Sequence, residues 1–327
     1  MSRPLPDAGA ELPPDVAADA FARIFDGLVD DTALASFLVA LAERGETVDE
    51  IVAAASMLRI RVSNPLHYPD AIDVCGTGGD GKHSLNVSTA VAIVVAACGA
   101  KVAKHGNRAA SSSSGAADVL AALGVPELPL DRLGPCLDSV GITFLHAARH
   151  HPAMARVAPV RRALGRRTIF NLLGPLANPA GVQRQLVGVF APDWTRPMAK
   201  ALQALGSTRA MVVHGDGYDE LTVTGPSHYT LVADTISDGE LTPESLGLGR
   251  HPMAALAGGD ATHNAARLRA LLAGDTGAYH DIVVLNAAAA LTVADPALTF
   301  ATAASHAREA LASGAAADTL ARWSAFQ

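Results

Sequence analysis

Four segments of the chain concentrate groups able to bind anions and cations. The first, Gly76 to Thr89 (GTGGDGKHSLNVST), follows a short apolar run. Gly76, Gly78, Gly79 and Gly81 let the backbone approach a ligand closely, and Asn86, Ser88 and Thr89 stand where the next helix begins. Free amide N–H groups and the positive end of a helix suit a phosphate. Gly76, Gly78 and Gly81 also match the dinucleotide fingerprint GxGxxG. That match is weak, because a polar SLNVST stretch intervenes and no acidic residue follows about 20 positions on. The second segment brings Lys104, His105, Asn107 and Arg108 together with Ser111 to Ser114 ahead of another helical stretch. A cation with many hydroxyl and amide donors again suits phosphate or ribose, and a sugar phosphate with two anionic ends would use both loops.

The third segment, His150 to Gly181, carries Arg156, Arg161, Arg162, Arg166 and Arg167. These are open to three readings: a nucleic-acid patch, a solvated helix face, or a face that includes one bidentate clamp for a carboxylate. His146 and His150 stand at i, i+4, but no acidic or cysteine ligand follows nearby to complete a zinc site. In the fourth segment a strand ends at His214 and then presents Asp216, Asp219 and Glu220. Adjacent loop carboxylates suit Mg²⁺, which is held through one or two carboxylates and the phosphates of its substrate.

The elements that must position these groups follow from periodicity. Three helical patterns open the chain: Val16 to Leu28, with Phe21, Ile24, Phe25 and Leu28 on one face; Thr32 to Ala42; and Thr47 to Arg61, started by a Thr47/Glu50 capping box. The proline-broken stretch Ser63 to Asp70 marks a boundary, giving a helical domain over 1–69 and an α/β domain over 70–327. Residues 1–13 read as a flexible tail. Beyond the boundary, candidate strands at Ala71–Cys75, Ala100–Ala103, Ile142–Leu145, Gln185–Val189, Ala210–Val213 and Tyr229–Val232 alternate with Ala-rich helical stretches. The expected fold class is therefore α/β: a small N-terminal helical domain plus a larger domain with a mostly parallel central sheet flanked by helices. Ligands of such sheets bind at the carboxyl ends of strands, where all four segments fall.

Composition bounds the rest. Of 327 residues, 50% are apolar and only 17% charged, which excludes disorder and coiled coil. The longest apolar run, Ala90 to Ala100, has 11 residues and is too short for a membrane span. A formal charge of −7 disfavours nucleic acid as a partner. Cys75, Cys98 and Cys136 form an odd set without CxxC spacing, as expected of reduced thiols in a cytoplasmic protein.

In order and spacing, GTGGDGKHSLNVST, KHGNRAASSSSGAADVLAALG, HPAMARVAPVRRALGRRTIFNLLGPLANP and HGDGYDELT resemble the anthranilate phosphoribosyltransferase family of tryptophan biosynthesis. The likeness runs from the first helices through NAAAALTVAD and beyond. It implies transfer of the phosphoribosyl group of 5-phosphoribosyl 1-diphosphate to anthranilate, on a fold shared with pyrimidine nucleoside phosphorylases. It also implies a homodimer joined through the helical domains, with part of 155–180 packing beside them. Carried over by position, Gly76, Gly79, Asp80, Ser84, Asn86, Val87, Ser88, Thr89, the run Lys104, His105, Gly106, Asn107, Arg108, Ala109, Ala110, Ser111 and Ser112, and Ala116 surround the phosphoribosyl diphosphate. Gly76, Asn107 and Arg161 hold anthranilate, while Ser88, Asp219 and Glu220 serve two Mg²⁺ per subunit. No residue is assigned as nucleophile or base.

Two departures stand out. Family members often carry Lys at the position of Ser113 and Ser at that of Ala116, so donor affinity is expected to be weaker here, and Ser113→Lys with Ala116→Ser to lower the donor KM. The family's Phe-Ala-Pro reads His146-Ala147-Ala148 in this chain. The rival readings are a pyrimidine nucleoside phosphorylase-like enzyme, opposed by Asp219-Glu220 and KHGNR, and a non-catalytic nucleic-acid-binding relative, opposed by the net charge. An NADP-dependent dehydrogenase ranks third.

Overall fold

The computed structural model describes residues 4–78, 81–108 and 114–327. Three helices come first: α1 (Pro14–Phe25), α2 (Asp31–Arg44) and α3 (Val48–Arg59). Each starts where its sequence places a stop to extended chain. Proline occupies the first turn of α1, the Asp30 carboxylate accepts the Ala33 N–H at the start of α2, and Thr47 and Glu50 close the capping box of α3. Phe21, Phe25 and Phe37 pack edge-on and tilted at 5.9–6.5 Å between ring centres to centre this bundle.

Two expectations fail here. Residues 4–13 are not a free tail: the buried Glu50 carboxylate accepts the Leu12 N–H at 3.0 Å, Arg44 Nε donates to the Ala8 carbonyl at 3.2 Å, and Ala8 and Leu12 are buried. A buried carboxylate needs every donor it can find, and the apolar Leu12 brings one. Leu28 does not share the face of Phe21 and Phe25. The helix ends at Phe25, Gly27 turns the chain at φ +74°, and Leu28 is left 58% exposed.

The α/β part runs β1 (Ile72–Gly76), α4 (Val87–Ala97), β2 (Val102–Gly106), α5 (Ala116–Leu123), α6 (Leu133–Val140), β3 (Ile142–His146), α7 (Ala147–His150), α8 (Pro152–Leu164), α9 (Phe170–Leu176), β4 (Arg184–Gly188), α10 (Thr195–Ala204), β5 (Arg209–His214), β6 (Ser227–Val232) and β7 (Ile236–Leu241). Four helices close it: α11 (Ala261–Leu272), α12 (Ala278–Ala294), α13 (Phe300–Ala312) and α14 (Ala315–Ala325). Among the described residues the sheet has seven strands in the order β3-β2-β1-β4-β5-β6-β7, parallel as far as β5 and antiparallel beyond. The expected α/β class is what the chain adopts. The edge strand β7 escaped the sequence reading because ISDGEL is largely exposed and lacks an apolar run. The second strand lies further along than expected, since it includes Lys104 and His105, both buried despite their polarity.

On one face, α4 and α12 are apolar nearly all round and sit in the main core. On the other, α10 and the outward residues Val187 and Val212 join a second core that is continuous with α1–α3, α8 and α9, and Phe25 meets Phe170 at 5.9 Å. No described helix is long and apolar enough to cross a membrane. Successive strands run outward from β1 through β2 to β3, while β4 starts on the other side of β1. The order therefore reverses between β1 and β4, and a crevice opens at their carboxyl ends.

Candidate active site

The crevice is built on two glycines. Gly76 and Gly188 are register partners at the ends of β1 and β4, and Thr77 N–H donates to the Gly188 carbonyl at 2.9 Å. The loop after β5 folds back over this point. A Cβ on Gly188 would collide with the Asp219 carbonyl, and one on Gly76 with the Asp219 carboxylate. Asp219 Oδ2 accepts the Gly78 N–H at 2.7 Å, where Gly78 takes φ +66°. Glu220 Oε1 accepts the Ser88 N–H at 3.3 Å in the first turn of α4. Two carboxylates thus face the glycine loop and the helix start.

The helix start itself is less open than its sequence suggests. Val87 N–H donates to the Leu85 carbonyl, Ser88 N–H to Glu220, and Ala90 N–H to the Asn86 carbonyl, so four free donors are not available. What the positive helix end holds is the carboxylate of Glu220. Asn86 accepts from Asn264 Nδ2 at 2.8 Å and, through its carbonyl, from the Tyr279 hydroxyl at 3.3 Å. Ser84 pairs with Ala257 in an isolated bridge. Val87 and Thr89 are buried.

Beneath the crevice lies a buried charged strut. Lys104 is 1% exposed, and its ammonium donates to the Val74 carbonyl at 2.8 Å and to Ser88 Oγ at 3.2 Å. Burial lowers its pKa, opposed by the nearby carboxylates of Asp73 and Glu220. Asp73 accepts from His105 N–H at 3.0 Å and Asn178 Nδ2 at 2.8 Å, and burial nonetheless raises its pKa. His105 Nδ1 faces the Gly174 carbonyl at 3.2 Å and its ring meets that of His151 at 5.1 Å. Burial holds His105 at about 3 and His151 at about 4, so both are neutral imidazoles. These contacts fasten the start of α8 and the middle of α9 to the end of β2.

Past β2, Gly106 lies against Phe144 and Ala116, where a Cβ would stand 3.0 Å from the ring. Asn107 Oδ1 accepts the Arg108 N–H at 2.9 Å and faces His146 Nε2 at 3.2 Å. Arg108 is exposed, and Ala116 opens α5. Arg161, on α8, stacks over Phe170 at 5.8 Å. Burial lowers its pKa, and among the described residues no carboxylate pairs with it. No described hydrogen bond links it to Gly76 or Asn107. Gly79, Asp80, Ala109, Ala110, Ser111, Ser112 and Ser113 lie outside the described residues.

The donor set fits a hard cation. Asp219, Glu220 and Ser88 offer only oxygens, and the missing Cβ atoms at Gly76 and Gly188 make the space into which Asp219 fits. Asp216 is turned aside, accepting from the Thr224 hydroxyl at 2.7 Å.

Residues 8–61 match the helical bundle domain of the glycosyl transferase family and residues 68–317 match its a/b domain. An anthranilate phosphoribosyltransferase of Sphingopyxis alaskensis is 52% identical, with 100% of each chain covered. The chain belongs to the anthranilate phosphoribosyltransferase family. The crystal structure of the Thermus thermophilus family member superposes with a TM-score of 0.93 at 45% identity, covering 98% of this chain and 99% of that one. The Saccharomyces cerevisiae member, in complex with PRPP and Mg, superposes at 0.86 with 28% identity, covering 95% and 92%.

Several residues of this site escaped the sequence reading. Asp73 was signalled by a lone acid inside the apolar strand IDVC, and Asn178 by its place in NPAG. Asn264 and Tyr279 come from helices far along the chain and carried no local signal.

Proposed function

We propose that this chain transfers the phosphoribosyl group of 5-phosphoribosyl 1-diphosphate to the amino group of anthranilate, giving N-(5-phosphoribosyl)anthranilate and diphosphate. The observation that carries the reading is the convergence of Asp219 and Glu220 on the glycine loop at the β1/β4 crevice. Displacement at an anomeric carbon through an oxocarbenium-like transition state needs a neutralised leaving group and an amine held in line, with no protein nucleophile. Mg²⁺, two ions per subunit in this reading, supplies charge neutralisation at the diphosphate when bound to Ser88, Asp219 and Glu220. Gly76, Gly79 and Asp80, the turn from Ser84 to Thr89, the run from His105 to Ser112, and Ala116 line the donor. Lys104 acts from below by orienting the Ser88 hydroxyl.

Asn107 and Arg161 hold the anthranilate carboxylate, Arg161 being a partly desolvated cation without a carboxylate partner among the described residues. The aromatic amine is unprotonated at neutral pH and attacks without a dedicated base. His105 and His151 are buried, neutral imidazoles.

The same reading divides the chain at about residue 69, with α8 and α9 packed on the bundle, and makes it a cytoplasmic homodimer. Leu28 and Ile60, 58% and 71% exposed, both lie on the helical bundle and suit a covered interface. The test is to mix protein, anthranilate, 5-phosphoribosyl 1-diphosphate and Mg²⁺ and follow anthranilate fluorescence. It should fall with time, and no loss at any of several Mg²⁺ concentrations would sink the reading.

A further inference from the structure

His146 stands where the family's pattern has Phe, and its ring sits between two acceptors. Nδ1 is 3.2 Å from Glu127 Oε1, and Nε2 is 3.2 Å from Asn107 Oδ1. The orientation of the Asn107 amide is settled independently, because the same Oδ1 takes the Arg108 backbone N–H at 2.9 Å. A carboxylate oxygen and an amide oxygen both accept, so the ring meets its two neighbours as a donor.

With its oxygen held from two sides, Asn107 presents its Nδ2 amino group outward, and among the described residues that group has no partner. We propose that His146 is a positioning residue for the acceptor substrate: anchored on Glu127 at one ring nitrogen and on Asn107 at the other, it fixes the Asn107 amide so that its N–H₂ faces the anthranilate carboxylate. The inference rests on the reading of Asn107 as an anthranilate-holding residue.

The surroundings hold the ring in place. Glu127 is held below the usual carboxylate range, first by its bond to His146 and then by the nearby charges of Arg149 and Arg108. Arg149 stands 3.7 Å from Glu127 Oε1 and is itself pinned by donating to the Leu128 carbonyl at 2.6 Å. His150, whose ring faces the Ser63 carbonyl, is the remaining titratable neighbour. On the apolar side, Phe144 lies 6.1 Å from the His146 ring, so a phenyl group can occupy the same place without a cavity.

Three variants test this: His146→Phe, which removes the ring's hydrogen bonds; His146→Gln, which keeps one N–H toward Asn107; and Glu127→Gln, which removes the anchor charge and keeps the shape. Each is assayed for anthranilate KM, donor KM and kcat. His146→Phe should raise the anthranilate KM roughly 2- to 10-fold, the worth of one hydrogen bond, and leave kcat and the donor KM unchanged. His146→Gln should fall between. If His146→Phe folds poorly, Glu127→Gln should still raise the anthranilate KM. Anthranilate KM values equal to the parent's in both variants would overturn the positioning role while leaving the reaction intact. A parent that does not consume anthranilate would overturn the functional reading and this inference with it.

Discussion

Lys104→Met separates two ways in which the buried lysine could act. In the structure its ammonium touches no solvent, donates to the Val74 carbonyl and Ser88 Oγ, and lies near Asp73 and Glu220. Methionine matches the stem but leaves those carboxylates without their counter-charge. Removing one partner of a buried ion pair costs about 3–5 kcal/mol. Unfolding entropy of about 2.1 cal/mol/K per residue gives about 0.7 kcal/mol/K for a chain of 327 residues. The expected fall in Tm is therefore about 4–7 °C, read by scanning calorimetry. Pairing the variant with Asp73→Asn should recover part of the loss, since the uncompensated charge is then gone. Activity should drop as well, through the unpinned Ser88 hydroxyl. A Tm within about 1 °C of the parent, together with a large rise in donor KM, would refute the strut and place the ammonium on the ligand.

Gly188→Ala pushes a methyl group into the Asp219 carbonyl, so the carboxylate turn must move, and displacement of about 1 Å can cost 100-fold in rate. The variant should lose about that much kcat/KM and need more Mg²⁺, and an unaltered Mg²⁺ titration would contradict the packing argument. Arg161→Ala should raise the anthranilate KM by roughly 10- to 100-fold, as for a charge-assisted hydrogen bond, with donor KM unchanged; a change confined to donor KM would reassign the residue. For pH, His105 and His151 are held at about 3 and about 4, below the roughly 6.5 of the unfolded chain. The unfolded state then binds more protons, so stability is fully present above about pH 6.5 and is lost as pH falls toward the folded values. Tm should already decline between about pH 6.5 and 5, above the carboxylate range, and a flat Tm there would show that these rings take up protons in the fold.

Much of this protein is legible in its residues taken in order. The three N-terminal helices follow from periodicity and the Thr47/Glu50 cap, because those signals are local and act within one or two turns. The alternation of strands and helices is likewise local, and so is the placement of Gly76, Lys104, Asn107 and Asp219 near strand ends, which follows from chain direction in a parallel sheet. What the chain order could not decide is which groups face one another. Residues 4–13 read as free because nothing near them is apolar enough to hold them, yet Glu50, some 40 positions away, does. The helix start at Asn86 read as an open anion site, and Glu220 of a distant loop fills it. Lys104 read as a cation for a ligand, and burial turned it inward toward Asp73 and Ser88. His146 read as a departure from a pattern, and only the approach of Glu127 on one side and Asn107 on the other gives it a task. Residue type sets what a group can donate or accept, whereas solvation and charge partners set what it does, and both are properties of tertiary contact rather than of sequence position.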